Sequence, residues 1–203
     1  MTGIKLCGIK RLEDINTIND IKPEYVGFVF AKTSKRFLEK DEAIRLKKVI
    51  DPCIKTVGVF VDEDMESILR LSDAGILDMV QLHGCEDEKY ILNIKREINK
   101  PVIKAFQVKG REDVVEASEC MADHILLDAG TGDGRVFDWD LLGGIKRPYF
   151  LAGGLNCNNV VDAVKRLNPY AVDVSSGIET NGIKDAVKMV EFVKKVRSIG
   201  HKL

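Results

Sequence analysis

The chain has 203 residues, of which 45% are hydrophobic and 31% are charged, and its formal net charge is −1. This balance predicts one globular domain with a substantial core, and the near-neutral charge argues against nucleic acid or an anionic membrane surface as a partner. No apolar run approaches the ~20 residues of a membrane span, and five widely spaced cysteines without a CxxC pair predict reduced thiols in a cytoplasmic protein.

Eight short β-rich runs alternate with eight amphipathic stretches along the chain. The predicted strands cover residues 4–7, 25–30, 54–61, 78–83, 102–107, 123–128, 148–152 and 171–174. The predicted helices lie near 11–21, 39–50, 64–74, 86–98, 111–119, 138–145, 156–167 and 183–198. Lys184 is expected on the charged face of the last helix. Eight such units with short connections predict a single α/β domain over residues 1–203, a parallel (β/α)8 TIM barrel, and a doubly wound open sheet is the alternative.

Polar residues recur at the C-terminal ends of the predicted strands, where barrel enzymes place their active sites. Because side chains alternate along a strand, Lys5 shares a face with Cys7, while the intervening apolar residues face the helices. The same alternation predicts that polar side chains from several strands line one cavity at the barrel mouth. These are Cys7, Gln81, His83, Asp128 and Asp173.

Two later strands end in small residues, in the segments 151–155 and 173–177. Backbone amides that no side chain covers can bind a phosphate, and a helix pattern that starts soon after each segment adds favourable partial charge. We therefore predict a barrel of the phosphate-binding type, with a phosphate cup formed by Gly153, Gly154, Ser176 and Gly177. A phosphorylated small molecule is the expected ligand.

Cys7 and Asp128 are the candidate base and acid. Cys7 is either a buried structural residue or a base, and a base needs a thiolate with a pKa below the ~8.5 of a free thiol, which Lys5 would favour. Asp128 ends an apolar strand, where burial would raise the pKa of a carboxyl and favour a general acid, and capping of the next turn is the alternative. An acid and a base at one phosphate-binding cavity suit an isomerase of a sugar phosphate.

Three further features have both a functional and a structural interpretation. Arg36, in the loop after the second strand, is either a fork for a substrate carboxylate or a solvated charge. His83 is foremost a hydrogen-bonding wall residue, and no metal site is expected because the other histidines lie at a strand start and near residue 201. The glycine-rich loop 130–134 is either a lid or an ordinary connection, and Asp138 would supply a negative charge at the next helix start.

In their order and spacing, the motifs along the whole chain resemble those of the phosphoribosylanthranilate isomerases of tryptophan biosynthesis. Singly, several of these motifs are common, but together they are specific. The matching segments are Lys5-Leu6-Cys7-Gly8-Ile9, Gly27-Phe28-Val29-Phe30, Ser34-Lys35-Arg36, Val57-Gly58-Val59-Phe60, Gln81-Leu82-His83-Gly84, Leu127-Asp128, Gly130-Thr131-Gly132, Phe137-Asp138-Trp139, Leu151-Ala152-Gly153-Gly154-Leu155 and Asp173-Val174-Ser175-Ser176-Gly177-Ile178-Glu179.

The resemblance implies an Amadori rearrangement of N-(5-phosphoribosyl)anthranilate to the carboxyphenylamino deoxyribulose phosphate, without a metal or an organic cofactor. It implies that Asp128 protonates the ring oxygen, that Cys7 as thiolate removes the proton from the sugar C2, and that the cup holds the phosphate. Arg36 would hold the anthranilate carboxylate. The lining of the site would be completed by Gln81, His83 and Asp173. The expected assembly is a monomer or a homodimer.

Two alternatives remain within the same fold. A non-catalytic phosphosugar-binding barrel would keep the cup while losing the acid or the base, yet Cys7 and Asp128 are both present. Another phosphate-barrel enzyme, such as the aminosugar isomerase of the histidine pathway, would show two similar halves with a cup in each. The segment 57–61 in the first half does not have the composition of a cup.

Overall fold

Eight parallel strands close into a barrel in the computed structural model of the protein, which describes residues 1–128 and 139–199. In chain order the strands are β1 (Gly3–Cys7), β2 (Tyr25–Val29), β3 (Lys55–Phe60), β4 (Met79–Leu82), β5 (Val102–Gln107), β6 (His124–Asp128), β7 (Tyr149–Ala152) and β8 (Ala171–Val174). Each strand pairs with its neighbours in sequence, and β8 closes on β1 with Asp173 opposite Lys5. The predicted barrel is confirmed, and the open sheet was the wrong alternative.

Helices follow all the strands except β6 in the described part of the chain. They are α1 (Leu12–Ile21), α2 (Lys40–Lys47), α3 (Met65–Asp73), α4 (Glu88–Glu97), α5 (Arg111–Glu119), α6 (Val160–Leu167) and α7 (Ala186–Ile199). Within the described ranges, none of them has the length and apolar character needed to cross a bilayer. The helix predicted near 138–145 is instead a 3₁₀ turn, Trp139–Leu142, in its described part. Gly143 and Gly144 follow this turn, and the φ of 96° at Gly144 is incompatible with a continuing helix.

The segment after β8 contains a hairpin that we did not predict from the periodicity. Two short strands, β9 (Glu179–Thr180) and β10 (Ile183–Lys184), pair in antiparallel fashion around Asn181-Gly182, whose φ angles are 53° and 77°. Asn-Gly is the preferred pair for a type I′ turn, because both positions need a positive φ. The last predicted helix therefore begins only at Ala186. Lys184 is buried and does not lie on the charged face of a helix.

Alternation along the strands divides the buried residues between two cores. Outward-facing residues such as Leu6 and Leu82 pack against the helices. Inward-facing residues fill the barrel, and near the N-terminal ends of the strands three of them pack with Tyr170, an exposed residue just before β8, in what we call the barrel floor. The barrel floor is a cluster of aromatic rings whose neighbouring centroids are 5.3 to 5.8 Å apart, made of Tyr25, His124, Phe150 and Tyr170. Further along the same strands, the inward-facing side chains reach the barrel mouth, at Asp128 on β6 and Ala152 on β7.

Candidate functional site

One cavity of about 350 Å³ opens at the barrel mouth, where the C-terminal ends of the strands meet. This volume suits a small organic ligand. The wall of the cavity is formed by Cys7, Val29, Ser34, Arg36, Val59, Gln81, His83, Asp128, Ala152, Gly153, Gly154, Leu155, Asp173, Ser175 and Ser176. The structure therefore brings every predicted site residue other than Gly177 to one wall.

Cys7 ends β1 and is buried in this wall, with 9% of its surface exposed. Its backbone carbonyl accepts a hydrogen bond of 3.0 Å from Ser175 Oγ, which connects the ends of β1 and β8. Burial raises the pKa of the Cys7 thiol, and the Asp173 carboxylate adds to this, while Lys5 and Lys184 act in the opposite direction. The lower pKa that a base would need is therefore not reached through the protein's own groups alone. Lys5 nevertheless acts in the direction that we predicted.

Gln81, His83 and Asp128 form a connected polar row on the opposite side of the cavity. Gln81 Nε2 lies 2.8 Å from His83 Nδ1. An amide NH₂ group only donates, so this contact favours the tautomer in which Nδ1 accepts and Nε2 carries the hydrogen. This Nε2 lies 3.5 Å from Asp128 Oδ2. The histidine thus presents a donor toward the carboxyl, as a hydrogen-bonding wall residue would.

Arg36 is held by a carboxylate to which we had assigned no role from the sequence. Arg36 Nε donates to Glu179 Oε1 over 2.7 Å, and Nη2 donates to Oε2 over 2.8 Å. Such a two-point pair fixes the plane of the guanidinium, and the remaining Nη1 edge is available for a second carboxylate. Gly8, at a φ of 78°, makes room for this side chain, since an added Cβ would lie only 2.3 Å from Arg36 Cδ.

Lys184 completes a buried charge network around Glu179. Its Nζ donates to Glu179 Oε1 over 2.7 Å and to the Ser175 carbonyl over 2.9 Å. Burial alone would raise the pKa of Glu179, but the hydrogen bonds and charges of Arg36 and Lys184 lower it to about 2. The Asn-Gly pair between β9 and β10 is the signal in the sequence that indicates this arrangement. A hairpin there brings Lys184 back onto Glu179, which a continuous helix would not do.

The loop after β7 turns sharply at two glycines. Gly153 and Gly154 have φ angles of 95° and 61°, and residues that carry a side chain rarely adopt such values. The Gly154 carbonyl accepts hydrogen bonds of 3.1 Å and 3.0 Å from the side-chain amides of Asn156 and Asn159. Because the peptide bond is trans, the N–H of Leu155 points the opposite way from this carbonyl. The asparagines thus orient the peptide group that joins Gly154 to Leu155, a residue of the cavity wall.

The loop after β8 continues from Ser175 into a 3₁₀ turn, Ser176–Ile178. Ser176 lies on the cavity wall, whereas Gly177 packs against the loop after β7. An added Cβ at Gly177 would lie 1.9 Å from the Leu155 carbonyl oxygen, so no other residue fits there unless one loop moves. The two loops of the predicted phosphate cup therefore contact each other through their backbones.

A buried ion pair on the outside of the barrel supports the loop that follows His83. Lys104 Nζ donates to Glu86 Oε2 over 2.8 Å and to the Gly84 carbonyl over 2.6 Å. The Glu86 carboxylate also accepts the backbone N–H groups of Asp62 and Gly84, each over 2.9 Å. This pair ties the loops after β3 and β4 together. The residue next to His83 is thereby held at both its N–H and its C=O.

Part of the predicted site lies outside the described residues. The loop 130–134, predicted as a lid or an ordinary connection, belongs to the range 129–138, and so does Asp138, predicted at a helix start. Both interpretations stay predictions.

Comparison with known proteins gives one consistent result. The family model described as N-(5'phosphoribosyl)anthranilate (PRA) isomerase matches residues 4–195. A curated N-(5'-phosphoribosyl)anthranilate isomerase from Endomicrobium trichonymphae is 48% identical over 204 residues, covering 98% of this chain and 100% of the relative. The protein of the same name from Thermoanaerobacter sp. (strain X514) is 47% identical over 206 residues, again covering 98% and 100%.

Solved structures agree with the sequence relatives. Phosphoribosyl anthranilate isomerase from Thermotoga maritima has 37% identity and a TM-score of 0.91, covering 98% of this chain and 100% of that one. A structure of such an isomerase in complex with reduced 1-(o-carboxyphenylamino)-1-deoxyribulose 5-phosphate has 37% identity, a TM-score of 0.88 and the same coverage. A third structure, of monomers generated from the dimeric Thermotoga maritima enzyme, has 36% identity and a TM-score of 0.87, covering 97% and 99%.

Proposed function

Because the chain belongs to the N-(5'-phosphoribosyl)anthranilate isomerase family, we propose that the barrel-mouth cavity is its active site, with Asp128 as general acid and Cys7 as general base. The protein is an isomerase of tryptophan biosynthesis, and its reaction is the Amadori rearrangement of N-(5'-phosphoribosyl)anthranilate to 1-(2-carboxyphenylamino)-1-deoxyribulose 5-phosphate. The observation that carries the two roles is that a thiol on β1 and a carboxyl on β6 face one cavity, whose wall includes the glycine loop.

In the first step, the protonated carboxyl of Asp128 gives its proton to the oxygen of the furanose ring. The bond between this oxygen and C1 breaks, and the nitrogen lone pair forms an iminium with C1. Asp128 supports this role because its side chain ends a buried strand and still lines the cavity, with 27% of its surface exposed. His83 Nε2–H, 3.5 Å from Asp128 Oδ2, is placed to stabilise the carboxylate that the step produces.

In the second step, the Cys7 thiolate removes the proton from C2 of the open sugar. The electron pair of the C–H bond neutralises the iminium and gives an enolamine, which then tautomerises to the ketone. The positive charge of the iminium, next to Cys7, favours the thiolate and so acts against the burial that raises the thiol pKa. Asp128 and Cys7 finally exchange protons with solvent to regain their starting forms. Both steps are proton transfers that these two side chains supply.

Different groups of the cavity wall would bind the two ends of the substrate. The Nη1 edge of Arg36, which has no partner among the described residues, would bind the anthranilate carboxylate, because Glu179 already occupies Nε and Nη2. Backbone amides at Gly154 and Ser176 would bind the phosphate, which needs donors and room for close approach. Anchoring both ends would place the sugar carbons between Asp128 and Cys7. The cup binds and orients the substrate, and it takes no part in the proton transfers.

Gln81 supplies an acceptor in the same wall. Gln81 is 1% exposed, and its Oε1 has no hydrogen-bond partner among the described residues. A buried acceptor without a partner costs about 1–3 kcal/mol, which a ligand donor would recover. A hydroxyl of the sugar, or the anilino N–H, is the donor class that this oxygen suits.

The roles are tested by following the loss of substrate fluorescence with purified protein. Cys7→Ala should lower kcat roughly 10²–10⁴-fold, the range for general acid–base catalysis. Cys157→Ala is the matched control, because this half-buried thiol lies away from the cavity, against the carbonyl of Lys188. Full activity of Cys7→Ala, or equal losses in both variants, would exclude Cys7 as the base. No turnover by the wild type would contradict the proposal as a whole.

We further infer that the enzyme acts in the cytoplasm as a monomer or a homodimer. All five cysteines lie among the described residues and are free thiols, as expected in a reducing compartment. Of these two states, the homodimer is favoured by the similarity to the dimeric Thermotoga maritima enzyme. Light scattering over a range of protein concentrations distinguishes the two, and a larger assembly would contradict both.

A further inference from the structure

A fully buried lysine lies inside the barrel directly below Cys7. Lys5 has 0% of its surface exposed, and Asp173, its partner across the β1–β8 pairing, is 8% exposed. Lys5 Nζ donates to both carboxylate oxygens of Asp173, over 3.1 Å and 3.0 Å. Burial lowers the pKa of Lys5, but Asp173 and Cys7 outweigh burial, so this pKa is raised and Lys5 remains an ammonium. Lys5 therefore carries a permanent positive charge inside the barrel.

Lys5 and Cys7 crowd the same small space. They lie two residues apart on β1 and face inward, and Gly27 on β2 lies beside both. An added Cβ at Gly27 would lie 2.7 Å from Cys7 Sγ and 3.2 Å from Lys5 Nζ. An ammonium this close to a sulfur favours the thiolate, and the surrounding low dielectric strengthens the effect.

Four charged groups act on the sulfur, and they come from different elements. Lys5 belongs to β1, Asp173 to β8 and Lys184 to β10, while Arg36 approaches from the loop after β2. Arg36 and Lys184 are both paired to Glu179, which weakens their effect on Cys7. Lys5 both carries a positive charge and lies on the same strand face as the thiol.

We propose that Lys5 is a positioning residue whose ammonium stabilises the Cys7 thiolate, and that Asp173 sets the strength of this effect by competing for the same ammonium. The proposal rests on the proposed role of Cys7 as base. Lys5 takes no proton in this step, since it already carries three hydrogens, and the thiol proton leaves to solvent. An apolar residue would fill this part of the barrel at less desolvation cost, and an effect on the Cys7 thiolate would offset the cost of a lysine here.

Two variants should move the thiol pKa in opposite directions. Lys5→Met removes the ammonium, so the pKa of Cys7 should rise by about one unit or more. Asp173→Asn keeps the size of the side chain but removes its charge, so the thiolate becomes the counter-ion of Lys5 and its pKa should fall by about one unit. A role of the pair in folding alone predicts a loss of stability in both variants without opposite shifts.

The experiment measures alkylation of Cys7 by iodoacetamide as a function of pH in the full chain. Mass spectrometry of the Cys7 peptide is needed because Cys53 and Cys85 are exposed and also react. The midpoint of the pH profile reports the thiol pKa, whereas the plateau rate reports access. Lys104→Met is the matched control, because it also loses a buried ion pair but lies outside the barrel, and its midpoint should equal that of the wild type.

An unchanged midpoint in Lys5→Met, or shifts of the same sign in the two variants, would overturn the proposal. If Lys5→Met does not fold, Asp173→Asn decides alone, and a midpoint that stays or rises contradicts the proposal. Alkylation does not depend on turnover, so it separates this inference from the proposed function. If the midpoints shift as expected while Cys7→Ala stays active, Lys5 acts as proposed and the assignment of the base is wrong.

Discussion

The mouth and the floor of the barrel are built from the same strands, yet their inward-facing residues differ in kind. On β8, Ala171 packs in the interior and Asp173, two residues later, lies on the cavity wall. On β6 the same step leads from Leu126 to Asp128. Inward positions recur every second residue, so a residue that packs in the interior and a residue that lines the cavity are only two positions apart on these strands. If the two regions are independent, substitutions at the mouth should change catalysis and substitutions at the floor should change stability.

The largest effect is expected for the proposed acid at the mouth. As a substitution of the proposed general acid, Asp128→Asn should lower kcat roughly 10²–10⁴-fold, whereas the free energy of unfolding should change little because asparagine keeps the size of the side chain. Asp123→Asn is the control at the other end of the same strand, where the carboxylate accepts the Val102 N–H over 2.9 Å. This control should lose stability and keep kcat. A loss of activity shared by both variants would break the comparison.

At the floor, stability should change and the chemistry should not. Phe150 is fully buried and packs edge-on against Tyr25, with centroids 5.3 Å apart. Phe150→Ala should lower the free energy of unfolding by about 3–5 kcal/mol, measured with urea, through lost burial and the cavity left behind. The kcat of the folded fraction, assayed well below the midpoint of thermal unfolding, should stay within a factor of about three. A kcat loss as large as that of Asp128→Asn would show that the floor shapes the active site directly.

An intermediate effect is expected for Glu179, because it stabilises the fold and also orients Arg36, the proposed fork for the substrate carboxylate. Its pKa falls from 4.5 to about 2, so its contribution to stability is fully present above pH 4.5 and is lost as the pH falls toward 2. Glu179→Gln should be less stable than the wild type by about 2–3 kcal/mol at pH 6, and the difference should shrink steadily below pH 4.5.

The same variant tests the orientation of Arg36. Without the carboxylate the guanidinium loses its fixed plane, so KM should rise about tenfold while kcat changes little. Glu66→Gln is a control, because its carboxylate pairs with an exposed arginine, Arg70, on α3 and should affect neither quantity. A fall in kcat with an unchanged KM would place Glu179 in the chemical step instead.

The smallest effect is expected where the floor is polar. The hydroxyl groups of Tyr25 and Tyr170 form a hydrogen bond of 3.2 Å. Tyr25→Phe removes this single hydrogen bond and should cost about 0.5–1.5 kcal/mol of unfolding free energy. Steady-state kinetics should not change, and a shift in KM would indicate that floor and mouth are coupled through the barrel interior.

The sequence predicts the barrel and the face of each strand well, because a period of two is visible in every short strand. Cys7, Gln81 and Asp173 reach the cavity by this rule alone. The 3₁₀ turn after β6 was missed because a pair of glycines ends a pattern that is otherwise helical.

Interactions between distant residues were harder to predict. Glu179 contacts Arg36 across 143 positions, and only the folded hairpin shows that Lys184 joins them. The direction in which the Cys7 pKa shifts depends on the balance between burial and charges from several strands, and a local sequence pattern does not predict this balance. The proposed acid and base and the neighbouring Lys5 were therefore accessible from the sequence, whereas the contributions of Lys184 and Glu179 were not.

The backbone contact at Gly177 has a consequence for recombining this barrel with its relatives. Since an added Cβ there would lie 1.9 Å from the Leu155 carbonyl oxygen, the loops after β7 and β8 must have matching shapes. A crossover between β7 and β8 would combine loops from two parents and risks a clash at this point. A crossover before β7 keeps both loops from one parent. Libraries of chimeric barrels should therefore inherit the segments 149–155 and 171–178 as one block.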